Sequence, residues 1–310
     1  MTKIFIAGSS NMDLVFTYNV FPQPGETIFG KEFLINEGGK GLNQAVACAR
    51  QDVSVSMVSS VGNDGYGEKL ISVLKENHID TSHVIIREQA HSGIALILVN
   101  ASDNRIIVNS GANSLTTYDQ VVKALDEASP GDVFLTQFEI PFEVVESSLS
   151  YAKTKKMITI VNPAPGRKID SKTLKNIDIL IPNETEAESI TGIKYSDDNS
   201  SKKMIQYLIN NGVKEVIITL GDKGSIYGNS ESITRIPSFC VNVVDTTAAG
   251  DTFVATIAAN IVKGHSTSDS LLKATAASAL AVSKLGAMVS IPTNGEIEAF
   301  LTNHKIIGLR

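Results

Sequence analysis

The sequence predicts an α/β protein in which helices cover both faces of a mostly parallel central sheet and a small β-sheet is inserted as a lid. Two observations lead to this prediction. From Val55 onward, short apolar β-rich runs alternate with helical patterns, which is typical of a parallel sheet covered on both faces. Two further pairs of β-rich runs lie outside that alternation and form a second sheet. The 310 residues, of which 43% are hydrophobic, are enough to bury one large core.

The first predicted strand, residues 4–7, ends at Gly8-Ser9-Ser10, where a parallel sheet opens its ligand crevice. The chain then leaves the sheet, because a Pro22-Gln23-Pro24-Gly25 turn separates two β-rich runs and no helical pattern precedes it. A polar turn at residues 100–104 joins the second pair as a hairpin. The four lid strands are predicted at residues 14–18, 27–35, 93–99 and 105–109. The lid is therefore expected as two insertions, at about residues 12–37 and 92–110.

Between the insertions, Gly38-Gly39-Lys40-Gly41 leads into a helix of small apolar residues that includes 45–49. This loop lacks the spacing of a P-loop. The run Gly62-Asn63-Asp64-Gly65-Tyr66-Gly67 likewise does not spell a dinucleotide fingerprint, which disfavours a dinucleotide-dependent oxidoreductase.

The alternating series has no internal repeat and no low-complexity linker, so residues 1–310 are predicted to form one domain. Its strands are predicted at residues 55–61, 133–136, 157–161, 177–181 and 216–220. Its helices are predicted at residues 67–76, 118–127, 141–155, 184–190 and 202–210. One more helix, residues 254–262, follows a β-rich segment that is predicted to end near Val243.

The composition indicates which ligands and which cellular location to expect. The formal charge is −6 and no local run forms a basic stripe, which argues against nucleic acid or an anionic membrane as a partner. The two cysteines have no C-x-x-C spacing, and the five histidines are scattered, so a protein-built transition-metal site is not expected. The first apolar stretch is too short for a signal peptide, and no run of ~18 apolar residues occurs. We expect a cytoplasmic protein with small-molecule ligands.

The run from Val244 to Phe253 is the strongest candidate for a site. Small residues at Ala248, Ala249 and Gly250 allow a tight turn, and the helix that follows points unpaired N–H groups at whatever occupies the turn. Such a helix start binds phosphate or a phosphoryl group in transfer. Asp251 has two interpretations: it caps the helix, or it acts as a general base beside the anion hole.

Six other segments occur in a fixed order along the chain. They are Gly8-Ser9-Ser10-Asn11-Met12-Asp13, Pro24-Gly25-Glu26-Thr27, Gly38-Gly39-Lys40-Gly41-Leu42-Asn43-Gln44-Ala45, Asn162-Pro163-Ala164-Pro165, Asn183-Glu184-Thr185-Glu186 and Thr219-Leu220-Gly221. With the run from Asp245 to Phe253, they resemble the signatures of the ribokinase-like sugar kinases, the PfkB carbohydrate kinase family, over nearly the whole chain. The resemblance implies the α/β fold with a lid and ATP-dependent phosphorylation of D-ribose at its 5-hydroxyl.

The resemblance also assigns residues to the sugar. Those implied to bind it are Asn11, Asp13, Gly39, Lys40, Asn43, Glu139 and Asp251. From the residues alone, Asn43 is equally a helix cap, Asp13 a turn residue and Glu139 a helix-start carboxylate. The chain departs from the family at Leu42 and Glu37.

For the reaction, the resemblance implies Asp251 as general base and the N–H groups of Ala249, Gly250 and Asp251 as the anion hole. The residues implied to bind ATP are Asn183, Glu186, Thr219, Gly221, Gly224, Gly250 and Thr275. Asn183 and Glu186 would reach the phosphates and the water shell of Mg²⁺, although Asn183 is equally a helix cap. Thr275 stands where the family often has a bulkier adenine contact. The residues implied to bind K⁺ are Asp245, Thr247, Ala281, Lys284, Gly286 and Ser290.

The resemblance further implies a homodimer whose lid strands pair across subunits. The alternative function is a kinase for another furanose, such as deoxyribose or fructose, or for a nucleoside. The spacing from Gly8 to Asp13 favours ribose. A non-catalytic sugar-binding protein is the remaining alternative, and the intact Asp251 argues against it.

Overall fold

Two separate sheets organise the chain in the structure, a computed structural model that describes residues 2–100 and 104–304. The described strands are β1 (Lys3–Ala7), β2 (Asn11–Thr17), β3 (Glu32–Gly38), β4 (Ser54–Gly62), β5 (Asp80–Arg87), β6 (Gly93–Val99), β7 (Asn104–Asn109), β8 (Val133–Thr136), β9 (Ile158–Val161), β10 (Ile179–Leu180), β11 (Glu215–Thr219), β12 (Ser225–Gly228) and β13 (Ile233–Ile236). The described α-helices are α1 (Lys40–Ala49), α2 (Gly65–Glu76), α3 (Tyr118–Leu125), α4 (Phe142–Thr154), α5 (Ser171–Leu174), α6 (Glu184–Thr191), α7 (Asp198–Asn210), α8 (Ala249–Val262), α9 (Thr267–Val282), α10 (Ala287–Ser290) and α11 (Asn294–Asn303).

The large sheet has nine strands in the order β13-β12-β11-β10-β9-β8-β1-β4-β5. The strands from β11 to β5 in this order run parallel, and β12 alone is reversed, pairing antiparallel with both β11 and β13. β1 lies between β4 and β8, so the segment after Ala7 opens at the carboxyl end of an interior strand. Crevices of this kind hold the ligands of open α/β sheets.

Alternate side chains of β1 enter two different cores. Ile4 and Ile6 pack in the core that includes buried residues of α1, α2, α8 and α9. Phe5 and Ala7 pack on the opposite face, in the core formed with α3, α4, α6 and α7. Because successive side chains of a strand point to opposite faces, this division places helices on both sides of the sheet. The predicted α/β class and its covered parallel sheet are confirmed.

The second sheet, here called the small sheet, consists of β2, β3, β6 and β7 in the order β3-β2-β6-β7. β2 pairs antiparallel with β3 and parallel with β6, and its first residue, Asn11, is opposite both Gly38 and Gly93. The prediction of a strand over residues 27–31 is wrong. β2 ends at Thr17 opposite Glu32, so residues 27–31 have no strand to pair with. Of the predicted turn at 100–104, residues 101–103 lie outside the described part of the chain.

Two other differences from the sequence prediction bear on the site. The prediction of a β-rich segment that ends near Val243 is wrong, because β13 ends at Ile236 and residues 237–248 contain no strand. That segment is instead held by hydrogen bonds from the N–H groups of Val244 and Asp245 to the carbonyl of Val282, at 2.8 and 3.2 Å. β5 was missed since it is a half-exposed edge strand that begins with polar residues. No helix in the described ranges is long and apolar enough to cross a bilayer.

Candidate active site

The site begins where α1 packs against the turn after β1. A Cβ on Gly41 would lie 2.6 Å from the carbonyl carbon of Gly8 and 2.7 Å from the nitrogen of Ser9, so only glycine permits this approach. The next residue, Leu42, donates its N–H to the Ser9 carbonyl at 2.9 Å. This close contact brings the first turn of α1, with Lys40 and Asn43, to the crevice at the end of β1.

Asp251 lies on the first turn of α8 and is buried. Its Oδ2 accepts a hydrogen bond from Asn43 Nδ2, and its Oδ1 accepts one from Gln44 Nε2, both at 3.0 Å. The N-cap of α8 is Ala248, without a side-chain capping bond, so the capping interpretation of Asp251 is wrong. The helix-cap interpretation of Asn43 is also wrong, because the N-cap of α1 is Gly39 and the Asn43 amide donates to Asp251 instead.

Sequence reasoning missed Gln44 as a functional residue. Gln137 Nε2 donates to Gln44 Oε1 at 2.6 Å, which fixes the orientation of the Gln44 carboxamide. The Nε2 of Gln44 also approaches Asn162 Oδ1 at 3.2 Å, and Asn162 donates to the Ile181 carbonyl at 3.0 Å. Gln44 and Asn162 both belong to the quoted segments, and this was the signal that could have identified them. The Asp251 carboxylate therefore sits at the end of an ordered amide network.

The start of α8 offers free N–H groups beside Asp251. The N–H groups of Gly250 and Asp251 have no acceptor within the described ranges, whereas the Ala249 N–H donates to the Thr246 carbonyl at 3.3 Å. Ala248, the N-cap just before the helix, adopts a left-handed conformation with φ of 60°. Of the three groups predicted for the anion hole, Gly250 and Asp251 are available and Ala249 is partly engaged.

Asp13 and Glu139 form the acidic side of the crevice. Burial, followed by the charges of Glu139 and Asp251, raises the pKa of Asp13 to about 7. Glu139 Oε2 accepts hydrogen bonds from Ser9 Oγ at 2.5 Å and from the Lys40 backbone N–H at 3.2 Å. Asp13 lies within β2 and Glu139 precedes α4 without capping it, so the turn and helix-start interpretations of these residues are wrong.

Lys40 is the cation of the site. Burial alone would lower the pKa of its ammonium group, but three carboxylates around it raise that pKa above the usual value. The three carboxylates belong to Asp251, Glu139 and Glu186. Lys40 therefore stays charged at neutral pH, between the acidic side of the crevice and helix α6.

The nucleotide residues predicted at α6 and β11 are brought together. Asn183 caps α6 and forms a capping box with Glu186, which confirms the capping interpretation of Asn183. The Thr219 N–H donates to the Pro182 carbonyl at 2.9 Å, and Gly221 and Gly224 follow with positive φ. Burial is the main cause that raises the pKa of Glu186. These contacts place the cap of α6 next to the loop that follows β11.

Thr275 lies in the middle of α9 and donates its hydroxyl to the Leu271 carbonyl at 2.8 Å. One turn further on, Ser278 Oγ donates to the carbonyl of Ala249 at 3.2 Å. Helix α9 thus contacts the start of α8, although the Thr275 hydroxyl is already engaged within its own helix.

The residues predicted to bind a monovalent cation lie in the loop before α8, at the end of α9, in the loop that follows α9, and in α10. Asp245 Oδ1 accepts from the Thr247 N–H at 2.9 Å and from Thr247 Oγ1 at 2.6 Å, and its Oδ2 accepts from the Gly286 N–H at 2.9 Å. Burial opposes the charge of Asp245, but these hydrogen bonds lower its pKa overall. Ser290 is buried and donates to the Ala287 carbonyl at 2.7 Å.

Two other predicted cation ligands, Ala281 and Lys284, are linked through the backbone. The Ala281 carbonyl accepts the Lys284 N–H at 3.3 Å, and the Lys284 ammonium group pairs with Glu296 at 2.8 Å. Only the backbone of these two residues is therefore suited to an ion. In the described part of the chain, no group of three or more His, Cys, Asp or Glu residues could hold a metal.

A carboxylate held by neutral amides beside a free helix start, with the half-buried Lys40 near enough to interact with it, fits a phosphotransferase that acts on a small hydroxylated substrate. The model of the pfkB family carbohydrate kinases matches residues 1–294. The chain belongs to this family, which confirms the predicted resemblance and the prediction of a sugar kinase.

Individual ribokinases are similar to this chain along nearly their whole length. A ribokinase of Staphylococcus aureus (strain COL) is 38% identical over 298 residues, covering 95% of this chain and 98% of that protein. The structure of a ribokinase from Thermotoga maritima superposes with a TM-score of 0.88 at 36% identity and covers 98% of this chain and 100% of that chain. The structure of Arabidopsis thaliana ribokinase complexed with ribose and ATP superposes with a TM-score of 0.89 at 29% identity. It covers 97% of this chain and 99% of that chain.

Proposed function

We propose that this protein is an ATP-dependent kinase that converts D-ribose to D-ribose 5-phosphate and ADP. The observation that carries the proposal is the buried Asp251 carboxylate, which Asn43 and Gln44 hold on a first helical turn with two free N–H groups. Ribose is supported as the sugar because the relatives named above are ribokinases, one of them complexed with ribose and ATP.

In this reaction, Asp251 takes the proton of the 5-hydroxyl as that oxygen attacks the γ-phosphorus of ATP. A bond forms between the sugar oxygen and phosphorus, and the bond from phosphorus to the ADP oxygen breaks. Neutral amide donors stabilise the Asp251 carboxylate without taking the proton in its place. The N–H groups of Gly250 and Asp251, with the Lys40 ammonium, balance the charge on the migrating group.

Sugar binding is assigned to groups whose hydrogen-bonding capacity remains open. Asn43 Oδ1 is buried without a hydrogen-bond partner within the described ranges, although the other end of the amide is engaged by Asp251. Such an acceptor is costly unless a ligand donates to it, and a sugar hydroxyl does so. Asp13, Glu139, Gly39 and Asn11 complete the sugar site in this proposal.

Mg²⁺ would neutralise the nucleotide phosphates when bound, through waters held by Glu186 and Asn183. These two residues fit a hydrated Mg²⁺, because the Glu186 oxygens accept from the N–H and Nδ2 of Asn183 and still have lone pairs for water. The nucleotide itself would lie along Thr219, Gly221, Gly224 and Gly250, with Thr275 near the base.

K⁺ is proposed at the Asp245 loop. The three hydrogen bonds that Asp245 accepts leave one of the ~4 acceptor positions of a carboxylate open. The Ser290 oxygen and the backbone carbonyls at Ala281, Lys284 and Gly286 are hard oxygen donors of the kind that such an ion prefers. Thr247 would act by holding Asp245.

We propose further that the small sheet closes over the sugar and pairs with a second copy. Apolar side chains are exposed at successive positions of β3 and β7, and therefore on both faces of this sheet. They are Phe33, Leu34, Ile35, Ile106, Ile107 and Val108. One face would cover the sugar and the other would contact the partner. A cytoplasmic location completes the proposal, since Cys48 and Cys240 are free.

The test is a coupled assay of ADP release with ATP and a panel of ribose, 2-deoxyribose, fructose and a nucleoside, with phosphorylation of ribose confirmed by mass spectrometry. We expect the highest kcat/KM with ribose. A higher value for another acceptor would establish the alternative kinase. Ribose binding in calorimetry without any turnover would establish a sugar-binding protein instead.

A further inference from the structure

A buried asparagine outside the catalytic residues contacts the sugar side of the site. Asn113 lies in a 3₁₀ helix (Gly111–Leu115) that follows β7, and it is 1% exposed. Its Oδ1 accepts the Ser10 N–H at 2.9 Å, and its Nδ2 donates to the Ser10 carbonyl at 3.2 Å. The same Nδ2 donates to Asn11 Oδ1 at 2.7 Å. The carboxamide therefore binds Ser10 as a neighbouring strand would and binds Asn11 through its second N–H.

This arrangement fixes which end of the Asn113 amide faces Asn11. The two backbone groups of Ser10 require the oxygen of Asn113 at the N–H and its nitrogen at the carbonyl. A flipped Asn113 would lose both bonds, so the donor always faces Asn11. Asn11 must then present its own oxygen to Asn113, and its Nδ2 is left without a hydrogen-bond acceptor within the described ranges.

Gly93 encloses the pair of amides. It lies opposite Asn11 in the parallel pairing of β6 with β2. A Cβ at Gly93 would lie 2.1 Å from Asn11 Oδ1 and 2.2 Å from Asn113 Nδ2. The backbone of the small sheet thus covers the hydrogen bond between the two asparagines and excludes water from it, which favours one orientation of Asn11.

We propose that Asn113 is a positioning residue that directs the Nδ2 of Asn11 toward the sugar, so that this point of the site recognises a hydroxyl oxygen as an acceptor. The inference rests on the proposed function, because it takes Asn11 to contact the sugar. Asp13, on the same face of β2, supplies the complementary acceptor.

The experiment is a double-mutant cycle on kcat/KM for ribose. Asn113→Asp replaces the donor by an oxygen of the same size, so the Asn11 amide is expected to rotate and present its oxygen to the sugar. We expect kcat/KM for ribose to fall about 10- to 100-fold, mainly through KM, while the KM for ATP is unchanged. In the Asn11→Ala background, Asn113→Asp should change kcat/KM by less than about twofold, because the group it positions is absent.

Equal losses in both backgrounds would overturn the proposal, since a merely structural role of Asn113 is independent of Asn11. If Asn113→Asp does not fold, Asn113→Ser replaces it in the same double-mutant cycle. Asn260→Asp is the matched control, because Asn260 is also buried, at 2% exposure, and donates to the Thr256 carbonyl within α8. It should lower stability without changing the KM for ribose. Wild-type protein without activity on ribose would contradict the proposed function, whereas an active wild type with an additive cycle contradicts this inference alone.

Discussion

Gln44 Nε2 donates a hydrogen bond to Asp251 Oδ1 at 3.0 Å, and Gln137 Nε2 holds the oxygen of the same Gln44 amide at 2.6 Å. The first contact joins residues that are 207 positions apart. A neutral donor in this position keeps the carboxylate oriented and adds no charge beside it. The relationship leads to two predictions, one for each partner.

Asp251→Asn should retain binding of ATP and ribose but lose roughly 10²- to 10⁴-fold in kcat, because the amide keeps the shape of the carboxylate and cannot take a proton. Steady-state kinetics gives the loss, and calorimetry checks that both ligands still bind. A variant with more than about a tenth of wild-type kcat would exclude Asp251 as the general base.

Gln44→Glu should move the acidic limb of the pH profile of kcat/KM toward higher pH. The new carboxylate would lie beside Asp251, and a neighbouring like charge raises the pKa of a carboxyl group. Gln44→Met is the control, since it removes the hydrogen bond without adding charge, and its midpoint should rise less than that of Gln44→Glu. Identical midpoints for all three proteins would contradict a direct contact between Gln44 and the base.

Ionisation of Asp13 should lower the free energy of unfolding as pH rises from about 4 to about 7 in the absence of sugar. Burial, followed by the charges of Glu139 and Asp251, raises its pKa to about 7 in the folded protein, from an ordinary value of 3.8. In that window the folded state binds more protons than the unfolded state, so the free energy of unfolding decreases with pH. The decrease in the free energy of unfolding over this window is at most on the order of 4 kcal/mol.

The measurement for Asp13 is chemical denaturation at a series of pH values, comparing the wild type with Asp13→Asn. The variant should gain stability relative to the wild type as pH increases, because its amide does not ionise. Two curves that stay parallel from pH 4 to 8 would show that Asp13 does not titrate in this range.

Potassium should activate the enzyme more than sodium, through Asp245 and the segment from Gly286 to Ser290. Asp245 ties this segment to the turn before α8, so an ion there would order the N–H groups that face the phosphoryl group. We expect a larger effect on kcat or on ATP affinity than on ribose affinity, and Asp245→Ala should abolish it. Equal rates in potassium, sodium and tetramethylammonium at matched ionic strength would contradict the cation site.

Phe33→Glu should convert the proposed dimer to a monomer. Phe33 is 49% exposed and contacts Phe16 on the small sheet in a tilted ring pair, at 4.4 Å between ring centroids. A charge there would be buried in the interface without a partner. Tyr207→Glu on α7 is the control, because Tyr207 is 41% exposed and lies outside the small sheet. Sedimentation of a wild-type monomer, or a dimer that survives Phe33→Glu, would exclude this interface.

The sequence by itself determined the features that depend on neighbours along the chain. The alternation of β-rich and helical runs predicted the covered parallel sheet, since side-chain periodicity is local. The three-residue spacing of Asn183 and Glu186 allowed the capping that the structure confirms. The small residues before Asp251 predicted a free helix start for the same reason.

Only the tertiary structure decided the contacts that join distant segments. Nothing near Gln44 indicates that its amide meets Asp251, and nothing near Asn113 indicates that it orients Asn11, 102 residues earlier. The pKa of Asp13 depends in the same way on Glu139 and Asp251, which other elements bring to it. Hydrogen bonds and electrostatic interactions act over a few ångströms in space, so their partners are fixed by how α1, α8 and the small sheet pack rather than by spacing along the chain.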